Sequence, residues 1–288
     1  MSKEVLIAGT RLTGEKPHIG TYYGWIHQIK RALENYNVII MISDYQSLDI
    51  NYQIPYYEAA QSLKKTYEYF LPDVSIIIES EIKNILKLGF LIQKNFKNSY
   101  YKRIMPIRKQ IEETSETNFH VLLYPSLMLA DILALNASIV FDKPEGKFQH
   151  SEIMNHTIAD LNKKFNLNYK RLAIFNKQHI DILSLDGTGP MKRNREKHGI
   201  IEIFNVDENY IYNCLKSTSS KVIKSIVSSI NYDYSVEDLK NDYFLKSLSH
   251  KIHVDINSNK NNKLKAGEEL IFQANEIVAK YIKILEGK

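Results

Sequence analysis

The sequence contains a single cysteine, Cys214, among its 288 residues. An internal disulfide and a thiolate metal centre are therefore excluded. No run of about 18 apolar residues could span a bilayer, and the first residues lack the apolar segment of a signal peptide. These absences predict a soluble, cytoplasmic protein without a membrane partner.

Neither sign of charge dominates the composition. Lys and Arg number 38 and Asp and Glu 33, which gives a formal charge of +5 and an isoelectric point near 8.9. This excess is compatible with nucleic acid or anionic metabolites as partners, and equally with ordinary solubility. The length suits one large domain, alone or with a smaller appendage.

Short apolar runs alternate with segments of helical period in the first two-thirds of the chain. The predicted strands are 5–8, 38–42, 75–78, 138–141 and 172–174, and the predicted helices are 22–35, 57–69, 82–96, 124–135 and 151–165. This alternation predicts an α/β fold, with a doubly wound parallel sheet in a domain of residues 1–190. Ligands of such sheets bind at the carboxyl ends of the strands.

The pattern changes after about residue 190. Segments 207–216, 219–230, 235–248 and 266–286 have helical period, with Asp207, Ser219 and Ser235 as candidate N-caps. The sequence therefore predicts a small helical domain in residues 191–288.

The stretch "AGTRLTGEKPHIGTYYGWIHQIKRAL" predicts a strand that ends at Ala8, a glycine-containing loop, and a helix opened by "PHIG". The free N–H groups and positive dipole at a helix start suit a phosphate. His18 and Thr13 can add hydrogen bonds to phosphate oxygens, and Gly20 leaves room for a flat ring. A glycine-rich turn between strand and helix is also common without any ligand.

Two further stretches place isolated polar groups in apolar surroundings. "VIIMISDYQSLD" brings Asp44 to the end of a buried strand, where it would serve either a ligand rim or a helix cap. "LLYPSLMLADILAL" predicts an apolar helix that starts after Tyr124 and Pro125 and carries Asp131 as its single carboxylate. Burial of that carboxylate requires a donor, either from the protein or from a ligand N–H such as that of an indole. Tyr124 and Met128 lie on the same predicted face and would wall an aromatic pocket.

Two further stretches are candidates for ligand binding, one with two histidines and one rich in basic residues. His150 and His156 are six residues apart rather than four, so their helix does not predict a zinc site. "DILSLDGTGPMKRNREKHG" follows a buried strand and predicts either a polyphosphate-binding loop or a solvated one.

Taken in this order, the segments resemble the class I aminoacyl-tRNA synthetases, and among them the tryptophan enzymes. "TGEKPHIGTYYG" resembles the HIGH signature, "YPSLMLADIL" the helix of the tryptophan pocket, and "SLDGTGPMK" occupies the place of the KMSKS loop. The resemblance covers roughly residues 5–200. It implies a Rossmann-like fold of the HUP type, a homodimer, and a two-step tryptophan–tRNA ligase reaction.

The resemblance also implies roles for individual residues. The substrates would be ATP with Mg²⁺, tryptophan or a similar aromatic amino acid, and tRNA-Trp. The ATP-binding residues implied are Thr13, His18, Gly20, Gly146, Met191, Lys192 and Arg193, with His18, Lys192 and Arg193 catalytic. The amino-acid-binding residues are Asp44, Tyr124, Met128, Asp131 and Gln149, and Asp131 would accept the indole N–H. No resident metal site is expected.

The chain departs from the family pattern at several places. Three residues separate Gly14 from His18 where two are usual, and the GxDQ turn reads "PEGK" at 144–147. The KMSKS loop reads "PMKRN", so that Arg193 would take over a lysine contact to phosphate. The helical region is short for anticodon recognition. A paralogue that activates or only binds an aromatic amino acid, without charging tRNA, is therefore the alternative to the ligase.

Overall fold

The fold is described from a computed structural model of the chain. The structure describes residues 3–12, 17–47, 55–101, 119–142, 149–176, 182–191, 199–204, 206–230, 232–258 and 267–287. Within these ranges, no helix combines the length and the apolar character needed to cross a bilayer.

Five parallel strands form one sheet, in the spatial order β3-β2-β1-β4-β5. They are β1 (Val5–Arg11), β2 (Asn37–Ser43), β3 (Ser75–Ile78), β4 (Ile139–Asp142) and β5 (Ala173–Asn176). The parallel sheet and its five strands confirm the predicted fold class. The predicted end of the first strand at Ala8 was wrong, because β1 pairs with β2 through Arg11, which lies opposite Ser43.

Helices connect and cover the strands. Helix α1 follows β1 and consists of Ile19–Thr21, a π-helical segment Tyr22–Ile26, and His27–Ala32. The others around the sheet are α2 (Tyr56–Phe70), α3 (Ile85–Gln93), α4 (Asn98–Tyr101), α5 (Phe119–Ala134) and α6 (Gln149–Phe165). Those after the sheet are α7 (Glu208–Ser217), α8 (Ser220–Ser229), α9 (Asp242–Asn257) and α10 (Gly267–Glu286).

The alternation of side chains along the strands divides the core into two layers. Leu6 and Ile40 belong to one apolar cluster, which includes buried residues of α1, α2, α7, α8 and α9. Ile7 and Ile39 belong to the other, which includes residues of α3, α5, α6 and α10. Both faces of the sheet are covered, as a parallel sheet of apolar strands requires.

Helix α5 begins five residues before its predicted start, at Phe119, and Pro125 lies inside it. A proline inside a helix removes one backbone hydrogen bond and costs about 3 kcal/mol. Leu123, in the additional turn, is buried, and Leu122 packs against the second cluster. Burial of one leucine contributes about 1.5–3 kcal/mol, so the packing of this turn offsets the loss at the proline.

The helical region after the sheet follows the prediction in part. Asp207 caps α7, and its side chain accepts a hydrogen bond from the backbone N–H of Tyr210. The helix predicted at 235–248 instead begins at Asp242. Asn241 is its N-cap and its side-chain oxygen accepts from the backbone N–H groups of Tyr243 and Phe244. Ser235 instead pairs with Asp238 in a separate turn. Asn241 satisfies the free amides better than Ser235 because its oxygen reaches two of them.

The last helix returns to the sheet. Ala274, Val278, Ile282 and Leu285 of α10 are buried in the second apolar cluster. The backbone N–H of Lys83 donates to Asn275 Oδ1 at 2.7 Å, and Lys87 forms an ion pair with Glu286 at 2.8 Å. Helix α10 therefore contributes to the layer formed by α3 and α5. The division of the chain at residue 190 remains a prediction.

Candidate active site

A cavity of about 300 Å³ opens at the carboxyl ends of the strands, between β1 and β4. This is where the strand order reverses, because the chain first builds β2 and β3 on one side of β1 and then crosses to β4 on the other. Ligands of doubly wound sheets bind at such a switch point. Most of the exposed wall is apolar, from Ile7, Met41, Met128, Ile132, Val140, Phe141 and Met154.

Helix α5 supplies one wall of this cavity. Tyr124, Met128 and Asp131 are spaced by four and three residues, which places them on one helix face. All three line the cavity. The structure thus brings together the three residues of α5 for which the sequence predicts amino-acid binding.

At the base of the cavity, two buried carboxylates share one amide. Gln46 Nε2 donates to Asp131 Oδ2 at 2.9 Å and to Glu79 Oε1 at 3.1 Å. Asp131 Oδ1 and Glu79 Oε2 are also buried, and neither has a hydrogen-bond partner among the described residues. Asp131 lines the cavity, so its second oxygen is an acceptor available at the base.

Burial and mutual repulsion change the titration of this pair. Burial raises the pKa of Glu79 to about 8, and the neighbouring charge of Asp44 adds to the rise. The pKa of Asp131 is raised well above its ordinary value by burial first and by the charge of Glu79 second. Gln46 opposes both shifts because its N–H groups stabilise the ionised forms.

The mouth of the cavity carries groups of opposite charge. Arg11, at the end of β1, and Asp142, at the end of β4, both line it. The hydroxyl of Tyr124 lies 2.8 Å from His150 Nε2. Burial lowers the pKa of His150, against the opposing charge of Asp142, and thereby favours the neutral imidazole. A zwitterionic ligand would meet both a cation and an anion here.

A second group of predicted residues meets at the start of α1. His18 is buried and caps the helix, and its Nδ1 accepts from the backbone N–H of Thr21 at 3.2 Å. A Cβ at position 20 would lie 3.0 Å from the His18 ring and 3.3 Å from the carbonyl oxygen of Met191. His18, Gly20 and Met191, all predicted to bind ATP, therefore lie together at the start of α1.

The segment before the predicted KMSKS-type loop is an ordered turn. Ser184 N–H donates to Gly189 O at 2.8 Å, and Asp186 accepts from the Ser184 hydroxyl at 2.7 Å. Gly187 adopts a φ of 69°, the left-handed region that glycine tolerates. Beyond the loop, the backbones of Glu202 and His18 pair in an isolated antiparallel β-bridge, which connects this part of the chain to the start of α1.

Several predicted residues have a different position or lie outside the described ranges. Asp44 is buried, and its Oδ1 accepts from the backbone N–H of Ser80 at 3.0 Å, in the turn after β3 rather than at a helix start that follows β2. Thr13, Gly146, Lys192 and Arg193, and the side chain of Gln149, lie outside the described residues. Among the residues described, no group of three or more His, Cys, Asp or Glu side chains could hold a metal ion.

Several residues around the cavity were not predicted as site residues from the sequence, among them Glu79, Arg11 and His150. Glu79 directly follows β3, so the rule that selected Asp44 after β2 would have selected it as well. Arg11 was missed because the first strand was predicted to end too early. His150 was considered only as a metal ligand, although it lines the cavity beside Tyr124.

Comparison with known proteins agrees with this geometry. The family model for class I tRNA synthetases (W and Y) matches residues 2–185. The tryptophan–tRNA ligase of Rickettsia bellii is 28% identical over 171 residues, which cover 57% of this chain and 51% of that protein. The chain thus aligns with about half the length of that relative.

The tryptophan–tRNA ligase of Campylobacter jejuni is 25% identical over 244 residues, which cover 80% of this chain and 70% of that one. The crystal structure of the Campylobacter jejuni tryptophanyl-tRNA synthetase complexed with ADP and tryptophan superposes with a TM-score of 0.66 at 18% identity. That superposition covers 98% of this chain and 96% of the other, so the fold is shared along almost the whole length. From the family match over more than half of its residues, this chain belongs to the class I tRNA synthetases of the tryptophan and tyrosine group.

Proposed function

We propose that the protein is a tryptophan–tRNA ligase, which activates tryptophan with ATP and transfers it to tRNA-Trp. The observation that carries this proposal is Asp131 Oδ1, a buried acceptor at the base of an apolar cavity that no described residue donates to. An unpaired buried acceptor costs about 1–3 kcal/mol, and an indole N–H would remove that cost.

The base of the cavity favours indole over phenol. Both hydrogens of the Gln46 side-chain amide are directed to carboxylates. That amide therefore has none left to donate to a phenolic oxygen, whereas an indole N–H only donates. A ring that brings a donor and requires no donor in return matches this arrangement.

The mouth and the start of α1 support the activation step. Arg11 and Asp142 offer opposite charges to the α-carboxylate and α-ammonium groups of a zwitterion. The start of α1, with His18 and Gly20, offers helix N–H groups to phosphate oxygens and a flat approach to a ring. Lys192 and Arg193 are assigned to the phosphates by the resemblance and are part of the proposal.

The proposed reaction has two steps. A carboxylate oxygen of tryptophan attacks the α-phosphorus of ATP, the bond to the bridging oxygen breaks, and pyrophosphate leaves. A ribose hydroxyl of tRNA-Trp then attacks the acyl carbon of the adenylate, and AMP leaves. The protein's contribution is to position the reactants and stabilise the developing charge. Mg²⁺ would accompany the ATP phosphates and shield their charge.

Amino-acid-dependent exchange of pyrophosphate into ATP, followed by charging of tRNA-Trp, tests the proposal. We expect exchange with tryptophan and weaker exchange with tyrosine. Exchange without charging would reject the ligase and favour a paralogue that activates the amino acid for another acceptor. Tryptophan binding without exchange would favour a paralogue that only binds. The homodimer is a separate prediction, which sedimentation equilibrium tests.

A further inference from the structure

Glu79 has no role in the proposed reaction, yet it is one of the most buried charged residues described. Its side chain is 0% exposed, and that of Asp131 is 3% exposed. Gln46 donates one amide hydrogen to each of them through the same nitrogen atom. The two carboxylates are therefore held side by side at the base of the cavity, with one small bridge between them.

Within the described part of the chain, the surroundings of the pair do not neutralise two negative charges. Asp44 faces both carboxylates, and Tyr45, which follows it in the same turn, faces Glu79. Each of these groups is acidic. The hydrogen bonds from Gln46 are neutral, and one oxygen of each carboxylate has no donor among the described residues. In so buried a place, two adjacent carboxylates cannot both be ionised without a large electrostatic cost.

We propose that Glu79 and Asp131 hold one proton between them at neutral pH, and that a ring N–H in the cavity selects the state in which Glu79 carries it. Asp131 is then ionised and accepts the ring N–H at its free oxygen. Glu79 is a positioning residue, since it acts through Asp131 and does not line the cavity. This inference rests on the proposed function for its ligand, although the shared proton is a property of the ligand-free protein.

The shared proton links ligand binding to pH in two directions. In mild acid both carboxyls are protonated, and a ligand that requires ionised Asp131 must release one proton on binding. In mild alkali the shared proton has also left, and both carboxyls are ionised. A ligand that excludes water from the pair then binds only if the pair takes up one proton. Affinity should therefore pass through a maximum and fall by up to tenfold per pH unit on either side.

The ligand-free protein provides the first test. Infrared spectroscopy of wild type should show a protonated carboxyl band at neutral pH that disappears in mild alkali. The reference is the double variant Glu79→Gln with Asp131→Asn, which keeps both side-chain shapes and removes both acids. A wild-type spectrum at neutral pH with no more protonated carboxyl than the double variant would overturn the proposal.

Calorimetric titration with tryptophan in buffers of different ionisation enthalpy provides the second test. Wild type should take up protons on binding in mild alkali, and Glu79→Gln should not. The ammonium group of the ligand titrates equally in both proteins, so the difference isolates Glu79. Glu81→Gln is the matched control, because Glu81 lies on the same turn, pairs with Lys64, and does not line the cavity. It should behave as wild type.

The outcomes separate the two proposals. Proton uptake that is retained in Glu79→Gln would refute the role of Glu79 and leave the amino-acid site intact. The same conclusion would follow if wild type bound tryptophan without proton uptake. Absence of tryptophan binding at every pH would refute the proposed function, and the infrared result then decides on the shared proton alone. Thermal unfolding of each variant verifies that it folds.

Discussion

His18 and Gly20 lie so close across the first turn of α1 that a methyl group on residue 20 would press against the imidazole. A Cβ on residue 20 would lie 3.0 Å from both Cε1 and Nδ1 of the imidazole, and the Met191 carbonyl oxygen is 3.3 Å away on another side. The imidazole cannot easily move, because it is buried and caps the helix.

Gly20→Ala should therefore displace the His18 ring or the Met191 backbone. Overpacking of this kind costs about 1–3 kcal/mol, and we expect pyrophosphate exchange to fall tenfold or more. Gly267→Ala is the control, because its added methyl would meet only the carbonyl oxygen of Ile76 at 3.5 Å, an ordinary contact. Equal exchange rates in Gly20→Ala and wild type would show that this contact does not belong to the reacting site.

Asp131→Ala should abolish measurable tryptophan binding under conditions where wild type binds. A hydrogen bond to a charged group contributes about 1.5–3 kcal/mol, and the methyl side chain also leaves a gap at the base. Asp131→Asn keeps the volume and an acceptor oxygen, so its affinity should lie between the two. The measurement is calorimetric titration, and unchanged affinity in Asp131→Ala would move the amino-acid site elsewhere.

The unfolding free energy of wild type should decrease as the pH rises from about 5 to 8. Glu79 has an ordinary pKa of 4.5, which the unfolded chain retains, and a folded pKa of about 8. Between these values the unfolded state binds fewer protons than the folded state, so stability falls by up to about 1.4 kcal/mol per pH unit.

Glu79→Gln should flatten this decrease. The comparison is chemical denaturation at several pH values, with Glu81→Gln as the control that retains the wild-type slope. If the unfolding free energy of Glu79→Gln decreased as steeply with pH, another group would be responsible for the decrease.

Tyr23→Phe should weaken the attachment of α9 to α1. The buried Tyr23 hydroxyl donates to Asp255 Oδ2 at 2.9 Å, and the neighbouring Tyr22 hydroxyl donates to the Asp255 carbonyl. Loss of one such bond costs about 0.5–1.5 kcal/mol, and more where the acceptor is charged. Tyr243→Phe is the control, since Tyr243 is 83% exposed. Equal unfolding midpoints for the two variants in urea would contradict this prediction.

The local sequence pattern was sufficient to predict the strands of the sheet but not the residues at which they end. Runs such as 38–42 and 75–78 consist mostly of apolar β-branched residues, which is typical of a strand buried on both faces. The end of β1 was not predictable because Gly9 and Thr10 resemble a loop locally. Their extended conformation depends on pairing with Met41 and Ile42 of β2, which are distant in sequence.

The site was predictable where one helix face carries it. Tyr124, Met128 and Asp131 follow from the helical period of α5 alone. The pairing of Asp131 with Glu79 was not predictable, because it requires the relative positions of α5, β3 and the turn after β2. The ordered start of α9 was missed for a similar reason, since Ser235 and Asn241 are both good caps and the preceding turn decides between them.

Helix α10 closes one face of the sheet although it is synthesised after the other helices of that layer. Its contact with the turn before α3 joins residues 192 positions apart in the chain. During synthesis, α3 and α5 therefore emerge long before the helix that covers them, and their apolar surface is open to chaperones or to other nascent chains. Folding of this layer must wait for the synthesis of α10, and contacts of such sequence separation form slowly.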